Sequence, residues 1–239
     1  MLLAQGKKMK VVYEATRNYY KFLPATIQSL LDHNDPKVIY ILAEDDHIDG
    51  LPSVCKVINV SNQPWIKRTS PNYHTVFSYM VLLRVCLPEI LDCDKVLQLD
   101  VDTIVCDSLQ ELWDTDLTDK WFAAVPEYIS NNRPYGKRYY NVGVCLFNLA
   151  QMRADNIVPS FIAELNENYY AYPEQDVLNK YGQANDKAVV LLPRYNTSYC
   201  CGLPKNPAIV HFAGINNWWD KQHNPKWDYL APYAPLITE

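Results

Sequence analysis

The sequence predicts an α/β protein whose first half is built on a parallel sheet. Short, continuous apolar runs alternate with segments of helical period through its first hundred residues. Runs of that kind suit strands covered on both faces. Strand–helix alternation in turn implies right-handed crossovers. With 239 residues and 49% hydrophobic content, the chain is long and apolar enough for a sizeable core.

Residues 10–15 (KVVYEA) read as the first strand. Residues 20–32 place Leu23, Ile27, Leu30 and Leu31 on one helical face, and Pro24 is tolerable only in the first turn. Residues 38–42 and 56–60 are the second and third strands, and 95–100 is the fourth. A helix from about 74 to 87 is expected to stop before Pro88, because the residue preceding a proline avoids the helical region. The second half is more mixed. Residues 122–125, 140–147, 189–192 and 208–212 read as strands, and 158–165 and 174–181 as helices. No repeat or linker-like break appears. A single domain over 1–239 is therefore expected, with a nucleotide-binding half over about 9–106 and a substrate-shaping half over about 107–239.

Charge and composition exclude several classes. The net charge is −5 and no basic block stands out, so no nucleic-acid partner is expected. No apolar run reaches the ~18 residues of a membrane span. The first ten residues do not resemble a secretory signal, and a cytoplasmic location is expected. None of the seven cysteines forms a C-x-x-C pair, so they read as small reduced hydrophobes of the core. The vicinal pair Cys200-Cys201 has a less common alternative reading as a redox-active couple. Glycines number only seven, and neither phosphate-binding glycine motif occurs.

The sharpest feature is Leu97-Gln98-Leu99-Asp100-Val101-Asp102-Thr103. Strand alternation turns Asp100 and Asp102 to one side. Two adjacent carboxylates repel each other, and a divalent cation relieves that repulsion. Oxygen ligands suit Mg²⁺ or Mn²⁺. The pair ends a strand on the side where open α/β sheets bind ligands. An acidic protein that binds a diphosphate without a glycine loop needs such a cation. His211 is the best third ligand among the histidines, although a structural histidine is the commoner role. Gly214, just after it, allows close backbone approach to a ligand.

Several segments in order resemble the retaining glycosyltransferases of family 8. Residues 94–105 resemble that family's D-x-D strand, and 107–113 the short helix after it. Tyr140-Asn141-Val142-Gly143-Val144 is similar to its F-N-A-G-V segment, and Glu174-Gln175-Asp176-Val177-Leu178-Asn179 to its D-Q-D-x-L-N motif. His211-Phe212-Ala213-Gly214 resembles its H-[FY]-x-G. The resemblance spans roughly residues 9–220. It implies a GT-A type fold, a Rossmann-like mixed sheet flanked by helices, which uses a UDP-sugar donor and usually Mn²⁺. It also implies that Asp100, Asp102 and His211 are the metal ligands, with Val101 between the two acids at the donor site.

The resemblance assigns further roles. Ala15, Thr16, Asn18 and Tyr19 match the turn that holds base and ribose, with Tyr19 able to stack on uracil. Thr16 stands where an acid is common. Arg84 lies in an apolar helical run and needs an anionic partner if buried; it is assigned to the donor sugar, the diphosphate or one of the acids. Gln175 is placed beneath the anomeric carbon, Glu174 on a donor hydroxyl and Asn141 on sugar hydroxyls. The aromatic tail of Trp218, Trp219, Trp227, Tyr229 and Tyr233 either stacks on an acceptor or closes a core edge. Asn217 stands where the family keeps a lysine that touches the diphosphate, with Arg17 or Arg84 as substitutes. The chain is also short for the family and lacks its basic C-terminal docking segment, so tethering to a membrane surface is not expected.

The implied reaction is hexose transfer from a UDP-sugar to a hydroxyl of a glycan, a lipid-linked sugar or a protein. Same-face attack steadied by Gln175 is favoured, and a covalent intermediate on a nearby acid is the alternative. The rival readings are weaker. Phosphatases of the haloacid-dehalogenase type carry their D-x-D after the first strand, whereas three strands precede it here. Nucleotidyltransferases on a similar sheet carry a basic glycine-rich loop that this chain lacks. A degenerate sugar-nucleotide or glycan binder is the non-enzymatic alternative.

Overall fold

A computed structural model describes residues 8–128 and 138–237. β1 (Lys10–Glu14) is followed by a 3₁₀ segment, Arg17–Phe22, and by α1 (Leu23–His33). Pro24 sits in the first turn of α1, where its missing N–H has no helical partner to lose. β2 (Val38–Ala43) and β3 (Cys55–Asn59) come next, and then β4 (Lys95–Leu99). These four strands are mutually parallel where they pair. β6 (Phe122–Pro126), β7 (Tyr140–Asn148) and β8 (Ala188–Val190) complete a seven-stranded sheet of order β3-β2-β1-β4-β7-β6-β8. β7 runs antiparallel to both β4 and β6, and this makes the sheet mixed.

Apolar residues alternate between two faces of this sheet. Val11 and Tyr13 pack with Leu23, Ile27 and Leu30 of α1. Val12 and Val96 face the other way, against Leu82, Leu83, Val85 and Phe122. Burial on both sides accounts for strands that read as unbroken apolar runs.

The segment expected as a helix over 74–87 is different. Tyr79–Cys86 is a 3₁₀ helix, capped by Ser78, and it continues through Pro88 into the short α2 (Leu87–Ile90). Proline supplies the reason. Pro88 has no N–H for the carbonyl of Arg84, and Leu87 N–H donates to that carbonyl instead, which tightens the turn. Pro88 then occupies the first turn of α2, where it is tolerated.

Among the strands and α-helices of the described residues, three were not anticipated as such. β5 (Thr103–Val105) pairs antiparallel with β9 (Ile209–His211) in a separate two-stranded sheet. α4 (Leu149–Ala154) follows β7 directly, and the side chain of Asn148 caps it. α7 (Trp227–Leu230) lies in the aromatic tail. The short α3 (Gln110–Trp113), α5 (Val158–Glu167) and α6 (Pro173–Ala184) fall where they were expected.

Side-chain amides dock α6 onto β7. Buried Asn179 accepts from Tyr140 N–H at 2.7 Å and donates to Tyr140 C=O at 2.9 Å. Glu127 N–H bonds to Tyr139 C=O, so Tyr140 and Pro126 form a non-hydrogen-bonded pair and β6 satisfies neither backbone group of Tyr140. Asn179→Ala strands both backbone groups of Tyr140 away from water. It is expected to lower the unfolding free energy by about 2–4 kcal/mol, read as a drop in urea midpoint at unchanged slope.

Candidate active site

A cavity of about 860 Å³ opens at the carboxyl ends of β1 and β4, the expected place for a ligand on such a sheet. Asp100 and Asp102 line it together with His211. They reach it by a route other than simple strand alternation. β4 ends at Leu99, the chain turns through 100–102, and β5 begins at Thr103. Thr103 Oγ1 donates to Asp100 C=O at 2.7 Å and closes the turn. Pairing of Thr103 with His211 then carries the imidazole to the two acids. His211 Nε2 lies 3.2 Å from Asp102 Oδ1 and 3.6 Å from Asp100 Oδ2.

The imidazole is held from behind. His211 Nδ1 lies 2.9 Å from Asn196 Oδ1, an oxygen that can only accept. Nδ1 therefore carries a proton, and Nε2 is the nitrogen that faces the carboxylates. Asn196 Nδ2 donates in turn to Asn141 Oδ1 at 2.8 Å. Gly143 makes room for the arrangement. A Cβ at this position would fall on His211 Cε1 and lie 2.6 Å from Asp100 Oδ2.

Arg84 is the counter-charge. Its guanidinium, 2% exposed, donates to Asp100 Oδ1 at 2.6 Å and to Glu174 Oε1 at 3.1 Å. It also lies 3.4 Å from Glu14 Oε2 and donates to Val142 C=O at 3.2 Å. One guanidinium thus faces Glu14, Asp100 and Glu174, with Asp102 alongside. Burial pushes Glu14 up to about 7, against the pull of Arg84, and does the same to Glu174. Burial also raises Asp100, with Asp102 adding to the rise. Burial lowers His211, but the two aspartates outweigh it and the net shift is upward.

This donor set fits a divalent cation. The ligand atoms of Asp100, Asp102 and His211 all lie within 4.8 Å of one another, two hard oxygens and one imidazole nitrogen. Negative charge is in surplus, and Gly143 leaves the approach unfilled.

The other expected site residues divide. Thr16, Tyr19, Arg84, Val101, Asn141, Glu174, Gln175 and Gly214 line the cavity. Ala15, Asn18 and Asn217 are not among its lining residues; Ala15 is buried and the other two are exposed. Asn141 and Gln175 are both bonded to protein. Asn141 Nδ2 donates to Glu127 Oε1 at 3.0 Å. Gln175 accepts from Val142 N–H at 3.0 Å and donates to Glu127 Oε1 at 3.3 Å. Arg17 is paired with Asp45 on the surface.

Acceptor stacking on the aromatic tail is not what the structure shows. Trp218 stacks on Phe212 at 5.1 Å between ring centres, and Trp227 and Tyr233 pack into the same small cluster around Phe22 and Leu230. Neither Trp219 nor Tyr229 lines the cavity. Trp218, Trp227 and Tyr233 thus close a core edge over β5 and β9.

Sequence reasoning missed Asn196, Glu127 and Lys226, and it named Cys200 only as one of a vicinal pair, with no place in the cleft. Buried Lys226 donates to the carbonyls of Thr197, at 3.0 Å, and His211, at 3.1 Å. Burial pulls its pKa down to about 8. Only the place of Glu127, next to Pro126 at the end of an apolar strand, offered a signal.

Residues 10–223 match the model of glycosyl transferase family 8. A Haemophilus influenzae protein provisionally named a glycosyltransferase is 27% identical, over 91% of this chain and 74% of its own length. Glycosyltransferase GlyA of Streptococcus pneumoniae is 26% identical over 90% of this chain, which spans only 33% of GlyA. The galactosyltransferase LgtC, solved with donor and acceptor sugar analogs, superposes with a TM-score of 0.76 at 23% identity, covering 97% of each chain. GlyE of Streptococcus pneumoniae, in its apo form, superposes with a TM-score of 0.67 at 21% identity, over 97% of this chain and 62% of GlyE. The mixed sheet flanked by helices is the GT-A fold seen in LgtC. No helix among the described residues is long and apolar enough to cross a membrane. With its family model matched from β1 past the site histidine, the chain belongs to glycosyl transferase family 8 and is a glycosyltransferase.

Proposed function

We propose that the chain is a metal-dependent retaining hexosyltransferase acting from a UDP-sugar onto a hydroxyl of a glycan, a lipid-linked sugar or a protein. The observation that carries this reading is the convergence of Asp100, Asp102 and His211 in one cleft. Family membership and the likeness to LgtC, solved with donor and acceptor sugar analogs, support it. In this reading the single domain divides its work, with the nucleotide on the β1–β4 half and the acceptor on the other.

Asp100, Asp102 and His211 would hold Mn²⁺ or Mg²⁺. The chemistry a divalent cation supplies when bound there is neutralisation of a departing diphosphate. The chain's own residues do the rest. Tyr19 offers an exposed ring for the base, and Thr16 borders the same pocket. Val101 and Gly214 present backbone to the donor. Arg84 occupies Asp100 Oδ1 and so leaves Oδ2 turned toward His211. It also holds Glu174 on the cleft wall, where that carboxyl can take a donor hydroxyl. Gln175 is fixed by Val142 N–H and Glu127, its amide bordering the cleft to steady positive charge at the anomeric carbon. Same-face attack brings the acceptor proton to the departing phosphate oxygen and needs no separate carboxylate base. Asn141 acts through Asn196 on His211 as well as bordering the cleft.

Asp102→Asn is expected to cut turnover by ~10²-fold or more, as loss of a key electrostatic group does. Near-normal turnover in saturating Mn²⁺ would sink the ligand assignment. Gly143→Ala drives a methyl group into His211 and should weaken Mn²⁺ binding by about 10–100-fold in a calorimetric titration while the far-ultraviolet spectrum stays unchanged. A panel of UDP-sugars, each with and without Mn²⁺, tests the donor. One of them should raise the melting temperature only with metal and release UDP slowly. No response to any UDP-sugar would overturn the donor class.

A further inference from the structure

Cys200 differs from the other thiols of the chain. All seven cysteines are unpaired. Cys86, Cys93, Cys145 and Cys201 are buried, and burial pushes the half-buried Cys55 and Cys106 up to about 11. Cys200 lines the cavity. Its Sγ lies 3.2 Å from Ser198 Oγ, 3.8 Å from Cys201 Sγ and 3.9 Å from Asn141 Nδ2. Ser198 Oγ already accepts from Cys201 N–H, which leaves its own O–H to donate to the Cys200 sulfur. Three donors thus converge on one sulfur, an arrangement that favours the thiolate. The bond from Cys201 leads and that from Ser198 assists, so Cys200 falls to about 6 in spite of burial. Glu127 opposes this shift, and His211 and Lys226 favour the thiolate.

We propose that Cys200 and Cys201 form a reactive dithiol in the cleft wall, a modification site for small disulfides and soft electrophiles, in which Cys200 attacks and Cys201 resolves. With a small disulfide, the Cys200 thiolate bonds to one sulfur, the original S–S bond breaks, and the departing thiolate keeps the electron pair. Cys201 then loses its proton and attacks the Cys200 sulfur, expelling the second thiolate. The protein dithiol is oxidised to a disulfide and the small disulfide is reduced to two thiols, which take up the protons. Closure requires the two sulfurs to move from 3.8 Å to a bonded ~2.05 Å. An adduct on Cys200 stands in the cavity beside Asn141, so the modification acts on the cleft itself.

The test uses the full chain. A brief pulse of iodoacetamide near pH ~6, read by peptide mass spectrometry, should label Cys200 ~100-fold or more faster than Cys55 and Cys106. With glutathione disulfide, the unmodified chain should lose two hydrogens from the peptide carrying both thiols, whereas Cys201→Ser should retain glutathione on Cys200. Labelling of Cys200 no faster than Cys55 or Cys106 overturns the proposal. So does equal retention of glutathione with and without Cys201. Should Cys201→Ser fail to fold, the labelling rates of the unmodified chain decide the matter alone.

Discussion

The molecule is organised around a buried guanidinium. Arg84 comes from the 3₁₀ segment, Glu14 from the end of β1, Asp100 from the turn after β4 and Glu174 from the first turn of α6, while β7 lends the Val142 carbonyl. A charge buried this deeply is tolerated only when it is paired, and each pairing ties a separate part of the chain to one point. Three carboxylates around one cation exceed its charge, although its Nε–H finds no protein partner. The excess appears as carboxyl groups shifted upward and as buried oxygens on Glu14 and Gln98 that lack a protein partner. The cleft is therefore held in shape by the same ions that make it strongly acidic.

A second constraint is steric. β7 passes so close to the turn after β4 that Asp100 N–H bonds to Gly143 C=O at 2.8 Å. Only a residue without a side chain lets His211 and Asp100 meet over that strand. The small β5–β9 sheet approaches from the far side and delivers the imidazole, and the aromatic tail packs over it. Lys226 ties the tail to β9 through the His211 carbonyl. The tail rings missing from the cavity therefore still serve it, by supporting the strand that carries the histidine.

Much of this was legible in the residues. Short, largely apolar runs such as 38–42 and 95–99 suit strands covered on both sides, and β1, β2 and β4 lie where the pattern places them. Asp100, Asp102 and His211 were legible as a set because acids at a strand end and a histidine before a glycine are unusual company. Local pattern failed where a distant group decides. The 3₁₀ form of Tyr79–Cys86 follows from the absent N–H of Pro88 and is hidden from a periodicity that fits either helix. β5 has only three residues and exists through its pairing with β9, which is more than a hundred positions away. Asn196 and Lys226 read as an ordinary loop amide and an ordinary tail lysine. Their roles arise because the 193–202 segment and the tail fold back across β9. Asn18 and Asn217 sit beside the right segments, yet their side chains belong to exposed turns; Asn217 has a positive φ of 51°.

These placements bear on how the site would meet a diphosphate. The two arginines named as substitutes for a lysine at Asn217 are already committed, Arg17 to Asp45 and Arg84 to its three carboxylates. Lys226 is near, but its ammonium is spent on two backbone carbonyls behind the histidine. No cation among these three faces the cavity free of a protein partner. A diphosphate entering a cleft lined by Glu14, Asp100, Asp102, Glu127 and Glu174 would meet net repulsion from the protein alone. In the proposed reading, the Asp100–Asp102–His211 set is where that repulsion must be reversed, which makes this chain more dependent on its cation than a relative that keeps the lysine.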